Sequence, residues 1–207
     1  MSGKDVFLQT INVSRETIDR LEGYEQLLRK WNTAINLVSP QSLDQIWTRH
    51  FLDSAQIFQL APAECCSWMD IGSGGGFPGL IIAILAAEVR PNLGITLVES
   101  DRRKSAFLAT VARTLGLSVQ VCAERIETLS PAHCDVLSAR ALAPLVDLLG
   151  FATRHLANDG ICLFSKGARW QDELADARKT WSFSVDDYAS VTDKNAVILK
   201  VREPKHV

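Results

Sequence analysis

Over the first sixty residues the apolar positions recur every three or four places. Behind Ser14, a residue type suited to cap a helix, Ile18, Leu21, Tyr24, Leu28, Trp31 and Ile35 share one face. That stripe predicts a helix running to about Ser39, where Pro40 stops it. Ser42-x-x-Gln45 reads as a capping box. Leu43, Ile46, Trp47, Phe51, Ala55 and Phe58 then predict a second amphipathic helix, which Ala61-Pro-Ala-Glu breaks. From residue 66 the pattern changes to short apolar runs between longer amphipathic segments. Strands are expected at 67–71, 95–99, 119–122, 135–138 and 161–165, with helices at 80–90, 102–115, 144–156 and 170–181. Two last β-runs, 184–191 and 196–201, flank a polar turn at Asp193-Lys-Asn and leave no room for a helix. They predict an antiparallel hairpin.

Alternating strands and helices mean a parallel sheet with right-handed crossovers and helices on both faces. A mostly parallel seven-stranded sheet with an antiparallel final strand separates the class I methyltransferase arrangement from an ordinary dinucleotide fold. The expected architecture is α/β and Rossmann-like over 63–207, with an N-terminal helical cap over 1–62.

Composition narrows the field. With 207 residues, 47% of them hydrophobic, the chain can build a real core and is not generally disordered. The longest apolar run, Leu80 to Ala87, is far short of the roughly 20 residues that cross a bilayer. The first residues carry no apolar targeting segment, so a cytoplasmic location is expected. A net charge of −2, from 22 basic and 24 acidic residues, excludes a strongly basic coat but not a local basic face. Five cysteines without a C-x-x-C pair, and four scattered histidines, predict reduced thiols and no metal site.

Asp70-Ile-Gly72-Ser-Gly74-Gly-Gly76-Phe77-Pro78-Gly79 joins the first strand to a helix. Glycines there permit a sharp turn and close approach of a ligand at the carboxyl edge of the sheet. The spacing Gly74-x-Gly76-x-x-Gly79 also satisfies the dinucleotide pattern. Against a pyrophosphate stand Pro78, which has no N–H to donate, and the negative charge of Asp70, which could instead accept from an ammonium group. Glu99 ends the second strand, where a carboxylate suits two ribose hydroxyls. A ligand with a ribose but no phosphates fits best, and S-adenosyl-L-methionine is such a ligand. After the third strand, Ala123-Glu-Arg-Ile126-Glu127 could flank its adenine.

These residues carry a family resemblance. From about Lys30 to the C-terminus the chain resembles the RsmG, or glucose-inhibited division protein B, family of bacterial 16S ribosomal RNA guanine-N7 methyltransferases. Its marks are Lys30-Trp31-Asn32, Asn36-Leu37, Arg49-His50-Phe-Leu52-Asp53-Ser54, the glycine stretch, Glu99-Ser100, Arg125-Ile126-Glu127, Ser138-Ala-Arg140-Ala141 and Lys166-Gly167. The resemblance implies methyl transfer from S-adenosyl-L-methionine to N7 of guanine 527 in the 530 loop. It also implies cofactor contacts at Gly72, Phe77, Ile126, Glu127 and Arg140; Gly74 and Glu99 join them on the physical grounds above. The partner implied is 16S ribosomal RNA, free or within a small-subunit particle.

Guanine N7 has an in-plane lone pair and no proton, so attack on the methyl requires no general base and no catalytic residue is assigned. Arg140 is left with two orienting roles, pairing the methionine carboxylate or donating to guanine O6. For phosphate contacts the expected residues are Arg49, His50, Lys166 and Arg169; Arg49, His50 and Asp53 could equally form a structural network. Phe77 and Trp170 are the expected stacking residues for a splayed-out base, whereas Trp31 and Trp47 fall on core stripes. The alternative function is a methyltransferase of the same fold acting on a small molecule or protein. A nicotinamide-linked oxidoreductase and a non-enzymatic nucleoside sensor are further rivals.

Overall fold

The structure, a computed structural model, describes residues 2–207. Its centre is one seven-stranded sheet, β1 (Ser67–Ile71), β2 (Gly94–Val98), β3 (Val119–Cys122), β4 (Cys134–Arg140), β5 (Leu156–Lys166), β6 (Trp181–Ala189) and β7 (Val197–His206). The order is β3-β2-β1-β4-β5-β7-β6. β1 to β5 pair in parallel, and β7 lies antiparallel between β5 and β6. The expected hairpin closes on Asp193, whose Oδ1 accepts the Asn195 N–H at 2.9 Å.

Helix α5 (Gly79–Val89) explains the long apolar run: it is buried along its whole length from Gly79 to Ala86. A helix apolar on all sides needs cover on all sides. The sheet covers one face; α2 (Arg15–Asn32) and α4 (Asp53–Phe58) cover the other. Phe7, Leu21, Tyr24, Leu28, Phe51 and Ile57 therefore share one core with Leu80, Ile84, Leu97, Phe107 and Val136. The chain passes from helical to α/β at 62–67 with no break in that core. Helix α6 (Arg102–Thr114) completes this face. A second core on the other face joins α7 (Leu145–His155) and α8 (Trp170–Ala177) to Leu137, Phe164 and Leu199.

Ser14 caps α2 as expected, accepting from the Thr17 N–H at 3.2 Å. Glu88, on the last turn of α5, accepts from the Ser14 N–H, the Ser14 hydroxyl and the Thr17 hydroxyl, which fastens the cap to the sheet layer. Three helical expectations need correction. Helix α2 stops at Asn32, because the Asn32 side chain accepts from the N–H groups of Leu37 and Val38 and donates to the Val38 carbonyl. Such local bonds compete with helical ones. The cap after it is Ser39, not Ser42, and starts the short α3 (Pro40–Leu43). The second amphipathic helix is interrupted: Trp47–Leu52 is π-helical before α4 begins. A further helix, α1 (Gly3–Thr10), opens the described chain with a Ser2/Asp5 capping box. Cys65, Cys66, Cys122, Cys134 and Cys162 are free thiols. Among the described residues no helix is long and apolar enough to cross a membrane, and no cluster of three or more His, Cys, Asp or Glu could hold a metal ion.

Candidate active site

The turn after β1 is built from both sides. Gly72, Gly74 and Gly76 have φ of 65°, 53° and 95°, a region side chains rarely enter. The Ser73 N–H bonds the Val98 carbonyl at 3.1 Å, and Gly76 and Phe77 both donate to the Ser73 carbonyl. From the cap, the buried Tyr24 hydroxyl donates to the Gly75 carbonyl. The Phe77–Pro78 peptide bond is cis.

Asp70 corrects one expectation. It is fully buried and faces no ligand space. Its Oδ1 accepts from the Ser138 hydroxyl at 2.7 Å, which in turn accepts from the Trp68 indole, while Oδ2 accepts the Gly79 N–H at 3.3 Å. Burial raises its pKa to about 6, against the lowering effect of those hydrogen bonds and of Arg140. Asp70 thus occupies the first amide of α5, the place a pyrophosphate would take in a dinucleotide fold. Pro78 supplies no donor beside it.

An open cleft of about 1230 Å³ lies at the carboxyl edge of the strands. All seven expected cofactor residues, Gly72, Gly74, Phe77, Glu99, Ile126, Glu127 and Arg140, line it. Glu99 is buried and fixed: Oε2 accepts the Gly74 N–H and Oε1 the Asp101 N–H, both at 2.8 Å. Each carboxylate oxygen keeps a further acceptor direction. A Cβ on Gly74 would meet only the Gly72 carbonyl oxygen, 3.7 Å away, so ligand space adjoins the backbone there. Ile126 is buried and Glu127 exposed on the 3₁₀ turn Ile126–Thr128. Helix α7 clamps that turn, with Arg154 donating to the Leu129 carbonyl and His155 Nε2 lying 3.1 Å from the Ile126 carbonyl. An acid on a strand end, a glycine turn and room for a nucleoside are a donor set that fits S-adenosylmethionine.

Arg140 closes one end of the cleft. Its guanidinium donates to Asp53 Oδ2 at 3.2 Å and to Nδ1 of His50, and lies 5.5 Å from the Phe77 ring centroid. Because arginine only donates, His50 Nδ1 must be the acceptor and Nε2 carries the proton. Burial, then Arg140 and Arg49, push the His50 pKa down to about 3. His50 is therefore buried and neutral, not the phosphate contact expected of it. The structural network wins for His50 and Asp53, while Arg49 points to solvent. Asp53 Oδ1 collects Gln56 Nε2 at 2.9 Å, the Thr192 hydroxyl at 2.9 Å and the Ser190 hydroxyl at 3.3 Å, tying the wall to the β6–β7 turn.

Three more expectations fail. Lys166 is 7% exposed, with its ammonium bonded to the Ala143 carbonyl at 2.8 Å and Glu173 at 2.7 Å, so it is no surface phosphate contact. Phe77 is buried, its ring stacked on His50 at 4.6 Å and tilted against Tyr24 at 5.4 Å, so neither face is open to a base. Trp170 is half-buried against the second core and is not part of the lining of the cleft beside Gly74 and Glu99. Arg169 is exposed, as expected. Sequence reading missed Leu37 and Val38, which reach the cleft from the loop Asn32 holds, and Leu142, which packs where a Gly72 Cβ would be. The Asn36-Leu37 pair was the available signal for the first two.

A parallel sheet with one inserted antiparallel strand, and a carboxylate at the end of β2 facing a glycine turn, define the class I methyltransferase fold. The solved ribosomal protein L11 methylase from Lactobacillus delbrueckii subsp. bulgaricus shares it, with a TM-score of 0.58, 17% identity, and coverage of 73% of this chain and 76% of that one. The family model for rRNA small subunit methyltransferase G (GidB) matches residues 17–201. The chain is 56% identical over 197 residues to the Ribosomal RNA small subunit methyltransferase G of Ruegeria sp. (strain TM1040), covering 95% of this chain and 96% of that protein. It is 52% identical over 199 residues to its namesake in Cereibacter sphaeroides (strain ATCC 17025 / ATH 2.4.3), covering 96% of each. The chain belongs to the rRNA small subunit methyltransferase G family.

Proposed function

We propose that this chain transfers a methyl group from S-adenosylmethionine to N7 of guanine 527 in the 530 loop of 16S ribosomal RNA, in the cytoplasm, acting on the RNA or on a small-subunit particle. The observation that carries the cofactor half is Glu99, held by two backbone N–H groups opposite the open space at Gly74. With the first amide of α5 taken by Asp70, the turn favours a nucleoside without phosphates. Membership of the family supports the RNA half.

Gly72 and Gly74 let the backbone meet the nucleoside, Glu99 accepts from its ribose hydroxyls, and Ile126 with Glu127 flanks its base. The edge of Phe77 and the guanidinium of Arg140 close the cleft toward the amino-acid end of the cofactor. When bound, the cofactor supplies an electrophilic methyl on a sulfonium. The chain's own work is orientation: effective molarities alone supply about 7–11 kcal/mol, and N7 has no proton to remove. Arg140 is cationic and does not belong against the sulfonium; its N–H groups suit the cofactor carboxylate or the acceptor base. Arg49 and Arg169, both exposed, are the remaining candidates from the sequence for phosphate contacts.

The test is transfer of labelled methyl from S-adenosylmethionine to small-subunit RNA, with the product mapped by strand cleavage at N7-methylguanine. Label at guanine 527 is the expected result. Label only on protein or on small molecules would overturn the assignment.

A further inference from the structure

Behind Arg140 lies a second cleft, of about 450 Å³, that shares His50, Arg140, Ala141 and Ala143 with the cofactor cleft. Its other lining includes Ser165, Lys166, Gly167 and Glu173. Nothing in the folded chain explains glycine at its mouth. A Cβ on Gly167 would meet no atom within 4 Å, and its backbone is not in the left-handed region. The space beside Gly167 is room for something that approaches the backbone closely.

Lys166 and Glu173 are a preset donor and acceptor on the wall of this cleft. Glu173 Oε2 accepts the Leu145 N–H at 2.9 Å and the Lys166 ammonium at 2.7 Å, while Oε1 takes no bond among the described residues. The ammonium gives a second N–H to the Ala143 carbonyl and has a third to give. On the opposite face of β5 the Ser165 hydroxyl, also in the lining of this cleft, is buried without a partner among the described residues. Lys166 is nearly buried, whereas the Glu173 side chain is 27% exposed, so its carboxylate reaches the cleft with an accepting oxygen to spare.

The six-membered edge of guanine presents an acceptor, O6, next to two donors, N1–H and the N2 amino group. Adenine presents the reverse, a donor beside an acceptor. A lysine N–H next to a carboxylate oxygen complements guanine and repels adenine. We propose, resting on the reading of this chain as a guanine methyltransferase, that the second cleft receives the acceptor base and that Lys166 and Glu173 read its identity. A guanine turned out of its strand passes Gly167, sets N1–H and the N2 amino group against Glu173 Oε1, and takes the Lys166 N–H on O6. Its N7 then lies on the imidazole ring, away from the edge held by Glu173, so it remains free to meet the methyl donor where the two clefts join at Ala141 and Ala143. The π-helical turns that carry Arg49 and His50 lead into Asp53, which holds that wall; such departures from α-geometry recur at functional sites.

The experiment uses full-length protein and small-subunit RNA carrying guanine, inosine or adenine at the target position. S-adenosylmethionine affinity is measured in parallel by calorimetry. For the wild type, transfer to guanine establishes the underlying reading, and its absence would sink that reading itself. Given transfer, E173Q is expected to lower kcat/KM for guanine by about 10–100-fold, the value of a good paired base contact. The ratio of guanine to inosine, which lacks only the N2 amino group, should shrink toward one, with cofactor affinity unchanged within about twofold. G167L, whose added atoms meet no protein neighbour at Cβ, should block transfer while leaving the melting temperature and cofactor affinity unaltered. E173Q methylating guanine as well as the wild type, an unchanged guanine-to-inosine ratio, or full transfer by G167L would each overturn the proposal while leaving the methyltransferase reading intact.

Discussion

The hydroxyl of Tyr24, in the second helix, donates to the carbonyl of Gly75, fifty-one residues later in the glycine turn. The Tyr24 ring also stacks on Phe51 at 5.4 Å and touches Phe77, so the cap holds the glycine stretch at Gly75 and at Phe77. Y24F leaves a buried carbonyl without its donor, a loss of about 1–3 kcal/mol. It should lower the urea midpoint and weaken S-adenosylmethionine binding several-fold by calorimetry. Unchanged affinity would show that the turn keeps its shape without the cap.

Glu99 is fixed by Gly74 and Asp101 before any ligand arrives. E99Q turns one accepting oxygen into a donating NH₂ that confronts a backbone N–H. Cofactor affinity should fall about tenfold or more, since a hydrogen bond to a charged group is worth about 1.5–3 kcal/mol. Equilibrium dialysis with labelled cofactor gives the answer, and binding as tight as the wild type's would remove Glu99 from the ribose site.

R140A takes the partner from Asp53 and the donor from His50. It should reduce methyl transfer by an order of magnitude or more and weaken cofactor binding more than it lowers stability. Calorimetry and thermal melts on the same samples compare the two. Equal cofactor affinity with a lowered melting temperature would reduce Arg140 to a structural part.

Asp70 and His50 predict opposing pH effects on stability. The Asp70 pKa is raised to about 6, so its contribution is full below the unfolded value of 3.8 and is lost as pH rises toward 6. The His50 pKa is lowered to about 3, so its contribution is full above 6.5 and is lost as pH falls toward 3. Between pH 4 and 6 each changes stability by up to about 1.4 kcal/mol per pH unit, in opposite directions. D70N should therefore fall in stability faster than the wild type on acidification through this window, and H50Q more slowly. Urea midpoints at pH 4.5, 5.25 and 6 suffice; parallel curves for all three proteins would contradict the two assignments.

Arg49 and Arg169 are exposed on a chain of net charge −2. Binding to small-subunit RNA should weaken steeply with salt, and the double variant R49A/R169A should lower the slope of log K against log salt by about 2. Filter binding at four salt concentrations tests this. An unaltered slope would place the phosphate contacts elsewhere.

The sheet was legible because its signals are local: apolar runs, glycine stops and helix stripes fell at nearly the observed places, including the hairpin that inserts β7. The residues expected to hold the cofactor fall together in one cleft for a related reason, since each lies at a strand end or in the turn that follows. Lys166, His50 and Phe77 were misread because exposure is not local. Whether a side chain meets solvent depends on what folds over it: Arg140 and Tyr24 come to His50 and Phe77 from distant segments, and Glu173 reaches Lys166 only because the chain turns back through α8. Asn32 ended its helix early for a reason that lies in its own side chain, which a purely periodic reading overlooks. The second cleft was invisible for the same reason as the Lys166 pairing: it is assembled from β4, β5, the π-helical turns and the last hairpin.

The place of β7 bears on how the molecule is made. The last strand of the sheet is wedged between two that precede it in sequence, and the turn leading into it steadies Asp53, some 140 residues earlier. Before β7 is in place the glycine turn and Glu99 can take their positions, but Asp53, which pairs with Arg140, lacks the Ser190 and Thr192 hydroxyls that hold it. Methylating competence thus waits on β7, and removing that strand should cost activity out of proportion to the few residues lost.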